Sequence, residues 1–308
     1  MKESIRVFSP ATVANVACGF DVLGFALESP GDEIEVRRRD EPGFTVINKT
    51  KDTVFPSDVN KNTAVVSLKA YLDHLGLDQG FEITFHSKIK PGSGIGSSSA
   101  SAAASVFAVN ELLGRPLAPI DLVQFAMQGE KAAAGVAHAD NVAPAILGGF
   151  VLVRSYAPLD LIQIPYPEEL YCTIIHPQIE VKTEDARKIL RKGITLKDAV
   201  TQWGNIAGLI AGLMKGDYGL IGRSLQDVII EPIRSMLIPG FDEVKEAALA
   251  NGALGASISG SGPSMFALSS SLETAQRVAK AMTETFSQFE IENHSYVSKI
   301  NKQGPKVL

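Results

Sequence analysis

Pro91-Gly92-Ser93-Gly94-Ile95-Gly96-Ser97-Ser98-Ser99-Ala100-Ser101 places glycine on three alternate positions and follows them with a run of Ser and Ala. Glycine frees φ and removes side chains, so successive N–H groups can turn toward one anion instead of into a strand ladder. Residues 97–114 then read as a helix whose first turn is all hydroxyls and alanine. The positive end of its dipole, equivalent to roughly half a charge, is left open to a ligand. The pattern is that of a phosphate cradle, with a flexible Ser/Gly loop as the plainer alternative. No Gly-Lys-Ser/Thr follows the glycines and no Gly-x-Ser-x-Gly elbow occurs in the chain, which excludes two familiar sites.

Outward from this loop, the chain alternates strands and helices. Before it, short strands are expected at 5–8, 33–38, 44–47 and 81–86, with a helix at 62–75 that starts at Asn60 or Asn62. After it come a helix at 120–134, a helix start at Val142-Ala143-Pro144 and a strand at 150–154. Pro158, Pro165 and Pro167 read as a crossing between domains, dividing the chain into 1–155 and 156–308. The second part reads as strands at 170–175, 253–259, 265–268 and 295–300, with helices at 183–190, 194–214, 219–228, 241–251 and 272–286. The expected class is α+β, with a ferredoxin-like second layer.

Several polar residues stand where they need a partner. From Val13 to Leu27 the only polar side chains are Asn15 and Asp21, and an unpaired carboxylate there costs several kcal/mol or is driven protonated. Asp21 either accepts from backbone N–H groups around Gly19 and Gly24 or holds the ammonium of a ligand. Glu130 has Ala126, Met127, Ala133 and Ala134 at its helical neighbours, so no cation pairs with it along the helix. It is a solvated surface residue or a metal ligand. Asp140 and Asn141 precede a helix start and can cap it. Ile258-Ser259-Gly260-Ser261-Gly262-Pro263-Ser264 is a second glycine turn between two strands, a tight hairpin on its plainest reading.

The bulk numbers bound the setting. A net charge of −5 argues against a nucleic-acid surface, and Arg37-Arg38-Arg39 runs straight into Asp40 and Glu41, as a solvated strand end does. Cys18 and Cys172 stand far apart without Cys or His spacing for zinc, so a reducing compartment is expected. No apolar run approaches the roughly 18 residues of a membrane span, and the first residues enter a strand without the apolar core of a secretion signal. A cytoplasmic protein without nucleic-acid or membrane partners is the expectation.

The 91–101 string resembles, residue for residue, the Pro-x-x-x-Gly-Leu/Ile-Gly-Ser-Ser loop of the GHMP kinases, small-molecule kinases in which this loop wraps the phosphates of ATP. The turn 258–264 resembles their third signature loop, beside the transferred phosphoryl group. The resemblance implies a two-domain fold, an N-terminal domain like ribosomal protein S5 domain 2 followed by a ferredoxin-like domain. It implies ATP binding by Pro91 to Ser101, adenine near Asn62, and Mg²⁺ held by Ser98 and Glu130. The pattern Asn15, Asp21, His138, Asp140-Asn141, Thr183, Arg187, Arg234 and Gly260 narrows it to the homoserine kinases, so the implied substrate is homoserine, phosphorylated on its side-chain hydroxyl for threonine biosynthesis. Asp21 would meet the ammonium, and Arg187 and Arg234 the carboxylate. Mevalonate and galactose relatives use an Asp with an N-terminal Lys near the acceptor hydroxyl. Pro10-Ala11-Thr12-Val13 has no Lys, so Asn141 is assigned to orient the hydroxyl with Asp140 supporting it. A neutral polyol or isoprenoid precursor as substrate, and a non-catalytic nucleotide-binding module, are the rival readings. The resemblance leaves a homodimer open.

Overall fold

The computed structural model describes residues 3–51, 53, 58–181 and 183–308, without the side chains of Ala134 and Thr183. The strand expected at 5–8 runs on as Ser4–Ala14 (β1), and the one expected at 33–38 is a single long strand, Leu23–Arg39 (β2). Pro10 and Pro30 hid the continuation, because proline lacks a ladder donor and within sheets is confined to edges and bulges. Here the β1/β2 register shifts between Pro10 and Thr12, and Pro10 pairs across to Gly31.

Phe44–Asn48 (β3), Thr63–Leu75 (α1) and Gly80–Ser87 (β4) lead to the glycine loop, and Ser97–Leu112 (α2), Pro119–Ala134 (α3) and Val142–Leu147 (α4) follow it. Phe150–Tyr156 (β5) and Leu159–Ile164 (β6) form a hairpin. β6 was not expected, since prolines on both sides of it read as a crossing. The first sheet runs β3, β4, β2, β1, with β5 pairing to β2 and carrying β6, so it extends past the division drawn at 155/156.

The second sheet starts at Tyr171–Pro177 (β7). Thr183–Lys188 (α5), Leu196–Lys215 (α6), Tyr218–Ser224 (α7), Glu231–Arg234 (α8) and Phe241–Ala250 (α9) precede Gly255–Ile258 (β8) and Met265–Ser269 (β9). Leu272–Gln288 (α10) and Asn293–Lys299 (β10) follow, and Lys306–Val307 (β11) returns to pair with β1. The sheet order is β10, β7, β9, β8, all antiparallel, with the first and third strands in the middle and helices between, as a ferredoxin-like layer has them. The helix expected at 219–228 stops at Ser224.

The layers are joined by apolar packing. Phe25 of β2 stacks on Phe150 at 4.7 Å between ring centres and meets Phe266 of β9 edge-on at 6.0 Å. Val13, Ala100, Cys172, Leu209 and Leu268 belong to the same buried cluster, so the sheets share one core at their junction. α2 runs through this junction with Ser99 to Ser105 buried, and their small side chains let strands and helices approach its backbone closely. No described helix is long and apolar enough to cross a membrane.

Candidate active site

α2 begins where the glycine loop ends. Gly96 caps it in the left-handed region (φ 69°), and no acidic side chain occupies its first turn, so the N–H groups there stay open to an anion. A Cβ on Gly96 would lie 2.0 Å from Thr12 Oγ1, and one on Gly94 (φ 81°) would lie 2.6 Å from the Gly262 carbonyl. Only glycine fits at either place. The second glycine turn lies against the first: Ser259 donates to the Gly94 carbonyl at 2.8 Å and Ser264 to the Ser93 carbonyl at 2.6 Å. Neither turn is a free loop.

Behind α2 sits a buried charge network absent from the expectations. Asp32, fully buried, accepts from the Ile89 N–H at 2.8 Å and the Ser101 hydroxyl at 2.6 Å, and meets Lys88 Nζ at 3.1 Å. Lys88 also donates to the Ser97 carbonyl at 2.6 Å. Burial pushes the Lys88 ammonium down, and Asp32 and Glu130 pull it back up. Lys88 directly follows a strand of ordinary alternation, so nothing in its sequence context marked it.

Glu130 is buried in α3, not solvated, and its Oε2 accepts from the hydroxyls of Ser98 and Ser99, each at 2.8 Å. Burial raises its carboxyl above the ordinary range, opposed by the two hydroxyls and by Lys88. Among the described residues no cluster of three or more His, Cys, Asp or Glu stands ready for a metal. One carboxylate beside a serine hydroxyl at a phosphate cradle is nevertheless a donor set Mg²⁺ accepts, since this ion takes one or two carboxylates and completes its shell from phosphate and water.

The cavity at this cradle, of about 500 Å³, is lined as well by Asn15, Asp21, His138, Arg187, Arg234 and Gly260. The turn after β1 puts Asn15, Val16, Ala17 and Asp21 at positive φ, a conformation costly for branched residues and held here by specific contacts. Asn15 donates to the Gly260 carbonyl at 2.6 Å and accepts from the Asp21 N–H at 3.0 Å. Among the described residues no backbone N–H around Gly19 or Gly24 donates to the Asp21 carboxylate. That carboxylate takes a forked pair from Arg187, at 2.7 and 3.3 Å, with His138 Nδ1 at 3.7 Å. Arg234, 2 % exposed, donates to the carbonyls of Ala186 and Gly260. Both guanidinium groups stand over the Phe20 ring, at 5.5 and 5.0 Å. Burial, then Arg187, lower Arg234 to about 10. His138 is lowered by burial, with Asp21 opposing and the two arginines reinforcing.

Asp140 and Asn141 line this cavity too. Burial first, then the charges of Asp21 and Glu130, push the Asp140 carboxyl up to about 7. Asn141 does not cap α4 with its side chain. Its Oδ1 accepts instead from Thr12 at 2.7 Å. Asn62, expected near adenine, lines the same cavity and caps α1 by accepting from the Ala64 N–H at 3.1 Å. The Thr183 side chain lies outside the described residues. Thr12, Phe20 and Lys88 are the site's unanticipated members, each known only from a contact across the fold, and the contact of Ser99, expected in the phosphate loop, with Glu130 was not foreseen.

Residues 62–149 match the profile of the GHMP kinases N terminal domain, and residues 209–288 that of the GHMP kinases C terminal. A protein of Chlorobium phaeobacteroides named homoserine kinase is 51% identical over 99% of this chain and 100% of its own. The crystal structure of homoserine kinase from Cytophaga hutchinsonii superposes with a TM-score of 0.96 at 57% identity, covering 100% of this chain and 98% of that one. An L. major mevalonate kinase in complex with R-mevalonate shares the fold at a TM-score of 0.74 and 18% identity, over 97% and 98% of the two chains. On the matched profiles and the full-length identity, the chain belongs to the GHMP kinases, in their homoserine kinase family.

Proposed function

We propose that this chain transfers the γ-phosphoryl group of ATP to the side-chain hydroxyl of L-homoserine, giving O-phospho-L-homoserine for threonine biosynthesis. The observation that carries this reading is one cavity lined both by a glycine-capped helix N-terminus and by an acid with two arginines. A zwitterionic amino acid needs an anion for its ammonium and a guanidinium fork for its carboxylate. A neutral polyol needs neither, and an isoprenoid precursor such as mevalonate, a carboxylate without an ammonium, has no use for the acid. Asp21 and Arg187 hold each other in this structure, and the zwitterion would enter between them, its ammonium on Asp21 and its carboxylate on Arg187 and Arg234. Full-length identity to proteins named homoserine kinase supports the same substrate.

Phosphoryl transfer asks for positioning and charge neutralisation more than covalent chemistry. The backbone of residues 91–101 would receive the phosphates, and Asn62 would stand by the adenine. Glu130 and Ser98 would hold Mg²⁺, which supplies charge neutralisation on the phosphate oxygens when bound. Asn141 would orient the acceptor hydroxyl beside Asp140. We place the activity in the cytoplasm, a setting compatible with two free, buried cysteines.

A coupled ADP-release assay with ATP and Mg²⁺ tests the reading against homoserine, homoserine amide, serine, threonine, mevalonate and galactose. Homoserine should give the highest kcat/KM, and the amide, lacking the carboxylate charge, should fall well below it. Equal use of a neutral alcohol would overturn the zwitterion site, and ATP binding without acceptor-stimulated ADP release would leave a nucleotide-binding module.

A further inference from the structure

Thr12 has no exposed surface and sits at the back of both the phosphate loop and Asn141. Its N–H leaves the β1/β2 ladder at the bulge and donates to the Ile95 carbonyl at 3.1 Å. Its hydroxyl lies 2.7 Å from Asn141 Oδ1, across 129 residues of sequence. The same oxygen fills the space that a side chain at Gly96 would need. One residue therefore touches the loop before the helix, the helix cap and an amide that lines the cavity.

The direction of the hydrogen bond matters. A buried hydroxyl proton without an acceptor is costly. Among the described residues Asn141 Oδ1 is the one acceptor recorded for the Thr12 hydroxyl. With Oδ1 so engaged, the amide of Asn141 is turned with Nδ2 away from Thr12, and Asn141 lines the cavity. Among the described residues that nitrogen makes no hydrogen bond of its own. An amide N–H is a donor: it can hold a lone pair of an attacking oxygen and set its approach, but it cannot take the hydroxyl's proton. A branched side chain, stiff at χ1 and packed against a glycine cap, fixes that choice more firmly than a flexible one would.

We propose that Thr12 is a positioning residue for phosphoryl transfer. Its hydroxyl sets the polarity of the Asn141 amide, so that N–H faces the acceptor oxygen, and its backbone ties that amide to the phosphate loop through Ile95. The proposal rests on the reading of Asn141 as the residue that orients the acceptor hydroxyl.

Steady-state kinetics of the full chain with ATP and homoserine, together with thermal melts, test it in Thr12→Val, Thr12→Ser, Asn141→Ala and the double variant Thr12→Val/Asn141→Ala. Thr12→Val removes the donor at nearly constant shape and should lower kcat by about ten- to a hundred-fold, the usual cost of a misplaced reacting group. KM for ATP should stay within about three-fold, since the loop backbone is untouched. Thr12→Ser restores the hydroxyl and should return kcat to within about three-fold of native, which a purely packing role would not predict. In the Asn141→Ala background the Thr12→Val change should cost less than about two-fold, because the group it acts through is gone. Thr12→Ala carries the same readouts should Val prevent folding. Equal losses from Thr12→Val in both backgrounds, a native kcat in Thr12→Val, or no recovery with Ser would each overturn the proposal while leaving the Asn141 reading intact. A native kcat in Asn141→Ala would remove that reading and the proposal with it.

Discussion

Glu130 has been moved by folding from water to a site where two serine hydroxyls face its carboxylate. If its charge serves the phosphates, Glu130→Gln keeps shape and hydrogen-bonding capacity but removes the charge. Turnover should fall by at least about a hundred-fold and the Mg²⁺ dependence should weaken, as when one group aimed at developing charge is removed. A native rate with a native Mg²⁺ titration would return Glu130 to a structural role. Asp140 carries a second consequence at this scale, for stability. Its carboxyl is raised from 3.8 to about 7 by burial and by Asp21 and Glu130. A folded value above the unfolded one makes its contribution complete below about pH 4 and lost as pH rises through about 7, because the native state must then hold a buried charge. In melts of the protein without ligands, Tm of Asp140→Asn minus Tm of native should therefore be more positive at pH 8 than at pH 5. A difference that does not move between those two pH values would mean that Asp140 is already ionised at pH 5.

At the scale of elements, the glycine cap of α2 separates two costs that are often confounded. Gly76 and Gly96 both sit at left-handed φ, 66° and 69°, but a Cβ at Gly76 meets nothing within 4 Å whereas one at Gly96 lies 2.0 Å from Thr12 Oγ1. Gly76→Ala should cost only the strain of that conformation, about 1–2 kcal/mol, with ATP affinity unchanged. Gly96→Ala adds a collision with β1 that must displace either the cap or Thr12, and calorimetry should show ATP binding weakened by about ten-fold or more. Equal ATP affinity in the two variants would mean that the loop accommodates a side chain and that the glycine is there for φ alone. The alternation of glycine was legible in the sequence as a phosphate cradle. The collision partner was not, because Thr12 is 84 residues away from Gly96 along the chain and meets it only across the tertiary fold.

For the whole molecule, the segment after β10 ties the second layer back to the first. Asn301, 8 % exposed, accepts the N–H groups of Gln303 and Gly304 on its side chain at 2.9 and 2.7 Å, while its own carbonyl accepts from Gly149 and its N–H donates to Ala26. Asn301→Ala would leave the buried Gly304 N–H without a partner. Such a loss costs about 1–3 kcal/mol and should lower Tm by several degrees, with the KM values for ATP and homoserine near native. A Tm at the native value would show that the turn recovers its hydrogen bonds elsewhere. Loss of homoserine binding would show that the tie sets the cavity as well as the stability.

What could be read without coordinates was whatever has a local cause. The glycine loop, the helices with strong periodicity and the α+β alternation follow from φ freedom, side-chain volume and hydrophobic period, all of which act within a few residues. The functional types were legible for a related reason: Asp21 among apolar residues and Glu130 without a helical cation each announced a missing partner. The identity of the partner was decided only by tertiary structure. Asp21 meets Arg187, 166 positions away, and Asn141 meets Thr12, 129 away. The same holds for β1 and β2, whose prolines look like strand ends until cross-strand pairing places them at a bulge. Hydrogen bonds and charge pairs are short-ranged in space but indifferent to sequence separation, so residue types specify what each group needs and the packing of the two sheets specifies which group supplies it.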